Sequence, residues 1–188
     1  MITIEQPALG LNAATGHHVF VRMWNTGNVS ATKPPNEIAE WIKLVALGAP
    51  GGKLKNVVLC CHGSPGQISL GTGIAIGDVP HFRRLATATG SLVDKFWIRA
   101  CAVAQHNAGG GANDGHSFVQ AFARATKSYV VVSTETQWSH GRTLPFGRID
   151  GFEGLVLSYD PTGTISWQRR YRSGWRDSSG RGRYQTPD

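Results

Sequence analysis

The sequence predicts an α/β fold: a sandwich built on a mainly parallel sheet, with flanking helices and a C-terminal β-hairpin. Short apolar runs, typical of strands buried on both faces, alternate along the chain with segments of helical periodicity. Near the end, "GLVLSYD" (154–160) and "TISWQRR" (164–170) instead predict two strands joined by a Pro-Thr-Gly turn. With 188 residues and 40% hydrophobic content, the chain is long enough to bury a core and suits one domain.

The first part of the chain contains a predicted helix between predicted strands. "HHVFVRMW" (17–24) alternates in polarity and predicts an early strand, and "TGNVSATKPP" (26–35) predicts a loop. "NEIAEWIKLVALG" (36–48) has a capping asparagine, apolar residues at helical spacing and a terminal glycine, so it predicts an amphipathic helix. "NVVLCC" (56–61) predicts a strand buried on both faces, and "QISLGTG" (67–73) predicts a short strand.

The second part repeats the alternation of helices and buried strands. "DVPHFRRLATATGSLVD" (78–94) predicts a helix, and "KFWIRACAVA" (95–104) predicts the second buried strand. "QHNAGGGAND" (105–114) predicts a glycine-rich loop, either a flap or a linker that is cleaved on activation. "GHSFVQAFARATK" (115–127) predicts a helix, and "SYVVVSTE" (128–135) predicts the third buried strand.

Candidate chemistry lies near the ends of two of the apolar strands. His62 is the first residue past "NVVLCC", and Cys101 lies in the last part of "KFWIRACAVA". Because the carboxyl ends of neighbouring parallel strands meet at one edge of a sheet, we expect these two side chains to face one cleft. A nearby imidazole promotes formation of a thiolate and later protonates a leaving amine. The peptide N–H groups of Gly63 and Cys101 are the candidate oxyanion donors.

Three stretches together resemble a known family. "VVLCCHGSPGQISLG", "FWIRACAVA" and "GHSFVQAFARATKSYVVVST" resemble the caspase-like (clan CD) cysteine peptidases, most closely bacterial caspase-like domains with an HGxxG turn and a Cys-x-x-Ala strand end. The resemblance covers about residues 54–135. It implies a three-layer caspase-like sandwich, one caspase-like domain over residues 1–168, and a dyad of His62 and Cys101 that hydrolyses peptide bonds of a protein or peptide substrate through a thioester. The usual caspase pentapeptide is absent.

Arg99 is a candidate substrate-binding residue. It lies two residues before Cys101, so strand alternation predicts that both side chains project to the same face. In the family that the sequence resembles, this position borders the pocket for the side chain preceding the scissile bond. An arginine there favours Asp or Glu through charge-assisted pairing. The alternative is a surface ion pair with Asp94 or Asp78.

A serine hydrolase of the α/β type is one alternative function. "HGSPG" resembles the oxyanion turn of those enzymes, and "GHSFV" (115–119) resembles a degenerate nucleophile elbow around Ser117. An elbow requires a strand immediately before the serine, and the segment before Ser117 reads as a loop. The chain order of the triad also requires a histidine after the acid, and no histidine follows His140.

A catalytically silent caspase-like binding scaffold is the second alternative. Residues 169–188 hold six arginines against two aspartates, which is four of the chain's seven net positive charges. This Arg/Gly-rich stretch predicts a basic tail, separate from the domain, that could bind an acidic partner. Nucleic acid is not the expected partner.

The cysteines and histidines give no indication of a metal or cofactor site. Cys60 and Cys61 are adjacent, so their side chains point to opposite faces of a strand and are predicted to be packing residues. Neither they nor the histidines show metal-ligand spacing, so we expect no metal and no cofactor. Because no apolar run could span a bilayer and no signal peptide is evident, we expect a cytoplasmic protein, or one exported by a route that needs no signal peptide.

Overall fold

A seven-stranded sheet forms the centre of the fold in the computed structural model, which describes residues 1–14, 19–107, 114–137 and 142–171. The α-helices are Pro35–Gly48 (α1) and Gly115–Thr126 (α2), and 3₁₀ helices span Pro50–Gly52 and Ile76–Leu85. The strands, numbered β1 to β14 along the chain, are Ile2–Thr3, Ala8–Ala13, Asn25–Val29, Leu54–Cys60, His62–Ser64, Gln67–Ser69, Ile74–Ala75, Ala86–Thr87, Gly90–Ser91, Val93–Arg99, Tyr129–Ser133, Arg148–Ile149, Gly154–Tyr159 and Ile165–Tyr171.

The strand order of the central sheet is β14-β13-β11-β10-β4-β2-β3. The five strands from β11 to β3 run parallel, and β13 and β14 form an antiparallel hairpin at the other end. The mixed α/β fold, the mainly parallel sheet and the C-terminal hairpin are therefore confirmed. The burial pattern explains why these strands are parallel and central: β4 and β11 are apolar runs that are covered on both faces.

The two faces of the sheet are covered in different ways. α1, α2 and the 3₁₀ helix Ile76–Leu85 pack on one face, where Ile38, Phe82 and Phe122 belong to the same apolar cluster. The opposite face is covered by extended segments, including 19–24 and 144–152. The third layer of the predicted sandwich thus consists, in the described residues, of extended chain rather than helices.

The strand predicted at 17–24 is wrong, and the loop predicted at 26–35 is confirmed only for residues 30–34. In the described residues 19–24, alternate side chains are buried, as expected for extended chain, but one isolated bridge from Phe20 to Thr143 is the only strand-like pairing there. The ladder is formed instead by β2, which was not predicted, and by β3 (Asn25–Val29), which lies largely in the predicted loop.

The helix predicted at 78–94 is correct only in its first half. The 3₁₀ helix Ile76–Leu85 ends there, and β8 and β9 then form a small hairpin. The helices predicted at 36–48 and 115–127 are confirmed, as are the three buried strands. None of the helices in the described ranges is both long enough and apolar enough to cross a membrane.

Two predictions concern the limits of elements at functional segments. The strand predicted at 95–104 ends earlier, at Arg99, so Cys101 lies just beyond β10 rather than within it. The tail predicted at 169–188 begins inside β14, which continues to Tyr171, and residues 172–188 lie outside the described residues.

Candidate active site

His62 and Cys101 leave the sheet at the same edge. In the parallel pair of β4 and β10, Cys60 lies opposite Arg99, and each strand ends at that residue. His62 follows Cys60 by two residues, and Cys101 follows Arg99 by two. The two candidate residues therefore lie in neighbouring segments just beyond the carboxyl ends of adjacent strands, where ligands of open α/β sheets bind.

The His-Gly-Ser-Pro-Gly stretch forms a β-hairpin next to the Cys101 segment. His62–Ser64 pairs with Gln67–Ser69 across a Pro-Gly turn, and Gly66 has the positive φ of 72° that the second turn position requires. The N–H of Gly66 donates to the carbonyl of Val103 at 3.1 Å. This hydrogen bond attaches the hairpin to the chain that follows Cys101. His62, which is exposed, is the first residue of the hairpin.

Gly63 brings this hairpin unusually close to the Cys101 segment. A methyl group placed on Gly63 would lie 2.7 Å from Val103 Cγ2, 2.9 Å from Ala100 Cβ and 3.0 Å from the Cys101 carbonyl oxygen. Only glycine permits this approach without a shift of the neighbouring chain. The oxyanion role expected of Gly63 stays a prediction. The structure shows a second property of this glycine, which is that its lack of a side chain lets the His62 hairpin pack closely against the Cys101 segment.

The chain turns sharply immediately after Cys101. Ala102 has a φ of 54°, in the left-handed region that residues other than glycine rarely adopt. Its N–H donates to the carbonyl of Glu135 at 3.0 Å, and the N–H of Ala104 donates to that of Ser133 at 3.1 Å. Backbone strain of this kind costs about 1–3 kcal/mol and is concentrated at functional sites. The segment that carries Cys101 is therefore held from both sides, by the hairpin and by the chain after β11.

Of the three cysteines, Cys101 alone is partly exposed. Cys60 and Cys61 are each 1% exposed and belong to opposite apolar clusters, which confirms their prediction as packing residues. Burial raises the pKa of the Cys60 thiol to about 12 and raises the pKa of the Cys61 thiol well above its ordinary value. Cys101 is therefore the only one of the three thiols that a substrate or reagent can reach without opening the core.

Gln137 contacts both Arg99 and Cys101. The Cys101 sulfur lies 3.4 Å from the Gln137 nitrogen and 3.6 Å from its carbonyl oxygen. The Arg99 guanidinium donates to Gln137 Oε1 at 2.8 Å. Arg99 and Cys101 therefore project toward the same neighbour, in agreement with the alternation argument. Gln137 was missed by the sequence reasoning, although its position just beyond the third parallel strand could have indicated it.

Arg99 is buried, with 8% of its surface exposed, and its guanidinium lies 4.8 Å from the centre of the Phe152 ring. Burial lowers the pKa of Arg99, and the negative charges of Asp150 and Glu153, among others, oppose this effect. The two acids are themselves buried. Their importance was not predicted individually, because acidic residues in a loop after a strand are usually solvated.

The surface ion pair considered for Arg99 is wrong. Asp94 is bound by Lys53 at 2.5 Å and by Lys55 at 3.5 Å. Asp78 accepts a hydrogen bond from the N–H of Ala75 within its own helical turn. Both acids lie near the beginning of β10 or in the 3₁₀ helix before it, whereas Arg99 is at the end of that strand.

Ser117, the alternative nucleophile, has a helix-capping arrangement. Its hydroxyl donates to Asp114 Oδ2 at 2.7 Å, and its N–H donates to the same oxygen at 2.9 Å. Asp114 Oδ1 lies 2.9 Å from His106 Nδ1, so the carboxylate stands between serine and imidazole. A Ser-His-Asp triad requires the imidazole in that middle position. His140 and most of the 105–114 loop lie outside the described residues.

No cluster of three or more His, Cys, Asp or Glu side chains suited to a metal ion occurs within the described ranges. Comparison of the sequence with protein-family models and with curated proteins finds no match.

Proposed function

We propose that the protein is a cysteine endopeptidase of the caspase-like type, in which His62 and Cys101 form the catalytic dyad. One observation carries the proposal: the partly exposed cysteine and the exposed histidine lie two residues beyond register partners at the same sheet edge. The contact of Gly63 with the Cys101 carbonyl supports it further, because it brings the two segments together.

The proposed reaction uses these residues in two steps. The His62 imidazole accepts the Cys101 thiol proton, and the sulfur attacks the peptide carbonyl carbon to form a C–S bond. The C–N bond then breaks, and the imidazolium gives its proton to the leaving amine. In the second step, water that is deprotonated by His62 attacks the thioester, the C–S bond breaks, and the thiol and a carboxylic acid product are released.

Gly63 and Cys101 are the proposed oxyanion donors through their peptide N–H groups. In a hairpin closed by a two-residue loop, Ser64 and Gln67 are the expected hydrogen-bonded pair. Ladder alternation then directs the N–H of Gly63 away from Ile68, its partner in β6. That N–H is therefore available to a developing negative charge on the substrate, and loss of such a donor typically costs a factor of about 10² to 10³ in kcat.

For specificity we propose cleavage after an acidic residue, based on the cationic Arg99 two residues before the nucleophile. Cleavage after a basic residue would instead require the substrate side chain to reach the buried acids Asp150 and Glu153, of which Asp150 already forms an ion pair with Arg142. Paired fluorogenic peptides ending in Asp, Glu, Arg or Lys decide between the two. Preferential cleavage after Arg or Lys refutes the role of Arg99 in recognition and leaves the dyad intact.

The central test compares three variants of the full chain on a mixture of peptides. Cys101→Ala and His62→Ala should each lower kcat/KM by at least about 10³-fold. Cys61→Ala removes a buried thiol next to the same turn and should retain activity, so it is the matched control. Hydrolysis that survives in Cys101→Ala would overturn the proposal.

A wild-type chain that cleaves no peptide, combined with a Cys101→Ala chain that keeps its biological effect, supports the silent binding scaffold instead. In that case the basic stretch at 169–188 is the first segment to test for binding of an acidic partner. The cytoplasm is the proposed location, because its reducing conditions preserve a free nucleophilic thiol.

A further inference from the structure

The side chain of Gln137 uses its full hydrogen-bonding capacity to hold its own segment in place. Its Oε1 accepts from the Arg99 guanidinium at 2.8 Å and from the Glu153 N–H at 3.0 Å. Its Nε2 donates to the carbonyls of Glu135 and Glu153 at 2.9 and 3.0 Å. An amide with two donors and two acceptor lone pairs is thereby satisfied. The side chain connects the end of β10, the chain after β11 and the chain before β13.

The peptide groups that this side chain holds are those in contact with the Cys101 sulfur. The sulfur accepts from the Gln137 N–H at 3.4 Å, and as a thiol it can donate to the Gln137 carbonyl at 3.6 Å. When the sulfur loses its proton, only the N–H contact remains attractive, and hydrogen bonds to a charged acceptor are the stronger kind. The Gln137 N–H can therefore hold the sulfur in place both as a thiol and in its nucleophilic form.

The same segment also supports the turn after the cysteine. The Glu135 carbonyl accepts both from Gln137 Nε2 and from the N–H of Ala102, the residue with positive φ. A change in the Gln137 side chain is therefore transmitted to the cysteine by two routes, through the sulfur and through the backbone turn.

We propose that Gln137 is the positioning residue for the Cys101 sulfur, acting through its own peptide N–H, which its side chain orients. This inference rests on the proposed function for its catalytic consequence. Its physical content, a sulfur held ready for reaction by one residue after β11, is independent of which substrate the protein cleaves.

The test replaces Gln137 with methionine, which keeps the bulk of the side chain and removes its four hydrogen bonds. Gln6→Met is the matched control, because the Gln6 amide makes a similar set of bonds to Ile4, Ala8 and Trp24 and does not contact the cysteine. The rate of Cys101 alkylation by iodoacetamide at pH 7 is followed by peptide mass spectrometry. Values of kcat and KM are measured on the best peptide.

We expect Gln137→Met to slow alkylation of Cys101 by about 5- to 10-fold, the effect of losing about one hydrogen bond of roughly 1 kcal/mol. The value of kcat should fall at least as much, with little change in KM, and Gln6→Met should change neither rate. If Gln137→Met does not fold, Gln137→Glu carries the test, since it keeps the acceptor bonds and loses the donor bonds, and a loss of about 2- to 4-fold is expected.

Alkylation and kcat that equal those of Gln6→Met, or alkylation that becomes faster, overturn the inference. These outcomes are separable from failure of the proposed function. A chain that cleaves no peptide but shows the slower alkylation keeps Gln137 as the positioning residue and rejects the peptidase. A peptidase activity that depends on Cys101 but not on Gln137 keeps the proposed function and rejects Gln137 as the positioning residue.

Discussion

Cys60 and Arg99 lie directly opposite each other in neighbouring parallel strands, and the chain continues from each to one member of the proposed dyad. A slip of one residue between β4 and β10 would displace one member relative to the other by about 3.3 Å. It would also turn the side chains of one strand to the wrong face, which the buried residues on both faces do not allow. The pairing of two apolar strands therefore sets the relative position of His62 and Cys101.

Alkylation of the native protein should be selective for one of the three cysteines. We expect iodoacetamide at about pH 7.5 to modify Cys101 and to leave Cys60 and Cys61 unmodified, because burial excludes the reagent and raises the pKa of both neighbouring thiols. Peptide mass spectrometry after quenching measures this directly. In denaturant all three should react, and modification of Cys61 before Cys101 under native conditions would contradict the structure.

Gly63→Ala should destabilise the protein and impair the site together. The added methyl would meet Val103, Ala100 and the Cys101 carbonyl at 2.7 to 3.0 Å, and overpacking of this kind typically costs about 1–3 kcal/mol. Chemical denaturation followed by fluorescence gives the change in the free energy of unfolding. Gly77→Ala is the control, because a methyl there has no heavy atom within 4 Å. Equal stability of the two variants would show that the hairpin is not held as described.

Replacement of Arg99 by methionine should cost roughly 3 kcal/mol of unfolding free energy, the typical effect of removing one member of a buried charge cluster. The variant loses the bond to Gln137 and the positive charge that faces Asp150 and Glu153. Urea denaturation compares it with Arg22→Met, an exposed arginine that should change stability by less than about 0.5 kcal/mol. Similar losses of unfolding free energy in both variants would show that Arg99 does not stabilise the fold and would leave substrate binding as its role.

The pH dependence of stability should contain a contribution from Asp114. Burial alone would raise the pKa of this carboxyl, but hydrogen bonds from Ser117, Asn107 and His106 outweigh it and hold the pKa below its ordinary value. Because the folded-state value is the lower one, the contribution is present above the unfolded value of about 3.9 and is lost as the pH falls below it. At neutral pH, Asp114→Ala should cost about 1–2 kcal/mol as a lost helix cap.

The difference in unfolding free energy between Asp114→Ala and the wild type should become smaller as the pH falls from about 5 toward 2. Thermal or urea unfolding at several pH values measures this. Asp94→Ala serves as the comparison, since its carboxylate makes exposed ion pairs with Lys53 and Lys55. Such pairs contribute about 0–1 kcal/mol. A gap for Asp114→Ala that stays constant across this pH range would exclude the charged cap as its cause.

The parts of the fold with a strong local pattern could be predicted from the sequence. α1 and α2 have apolar stripes at helical spacing, and β4, β10 and β11 are apolar runs, so local preference and burial agree. The placement of His62 and Cys101 at one sheet edge followed from those strands, because parallel neighbours end at the same side.

The β2–β3 side of the sheet could not be predicted in this way, because contacts between residues distant in sequence decide which segment pairs in the sheet and which covers its face. Asn12 donates to the Val21 carbonyl at 3.1 Å and accepts from the Val21 N–H at 2.8 Å, so the extended segment 19–24 bonds to a side chain instead of a strand. β3 is polar and contains Gly27, over which the Trp41 ring packs. Its strand character depends on that distant contact, and composition alone predicts a loop.

The position of Gln137 just beyond the third parallel strand could have indicated the residue, but the role that we propose for it could not be predicted, for a related reason. Its partner Arg99 is 38 residues away in sequence, and a lone glutamine after a strand has no local signal for burial or for bonding to a sulfur. The helix predicted at 78–94 failed because Pro80 and the "ATATG" stretch disfavour a continued α-helix, which the structure resolves as a 3₁₀ helix and a hairpin.

The coverage of the non-helical face has a consequence for biosynthesis. Cys60 and Val58 are sheltered there by the early segment containing Ile4 and by the late segment containing Leu144 and Phe152. During synthesis the late segment leaves the ribosome only after most of the sheet has emerged. Until then the nascent chain exposes an apolar surface that includes the oxidisable thiol of Cys60. Chaperone engagement and thiol oxidation should accordingly peak in ribosome-bound chains from which residue 144 has not yet emerged, and subside once the chain through residue 152 has left the exit tunnel.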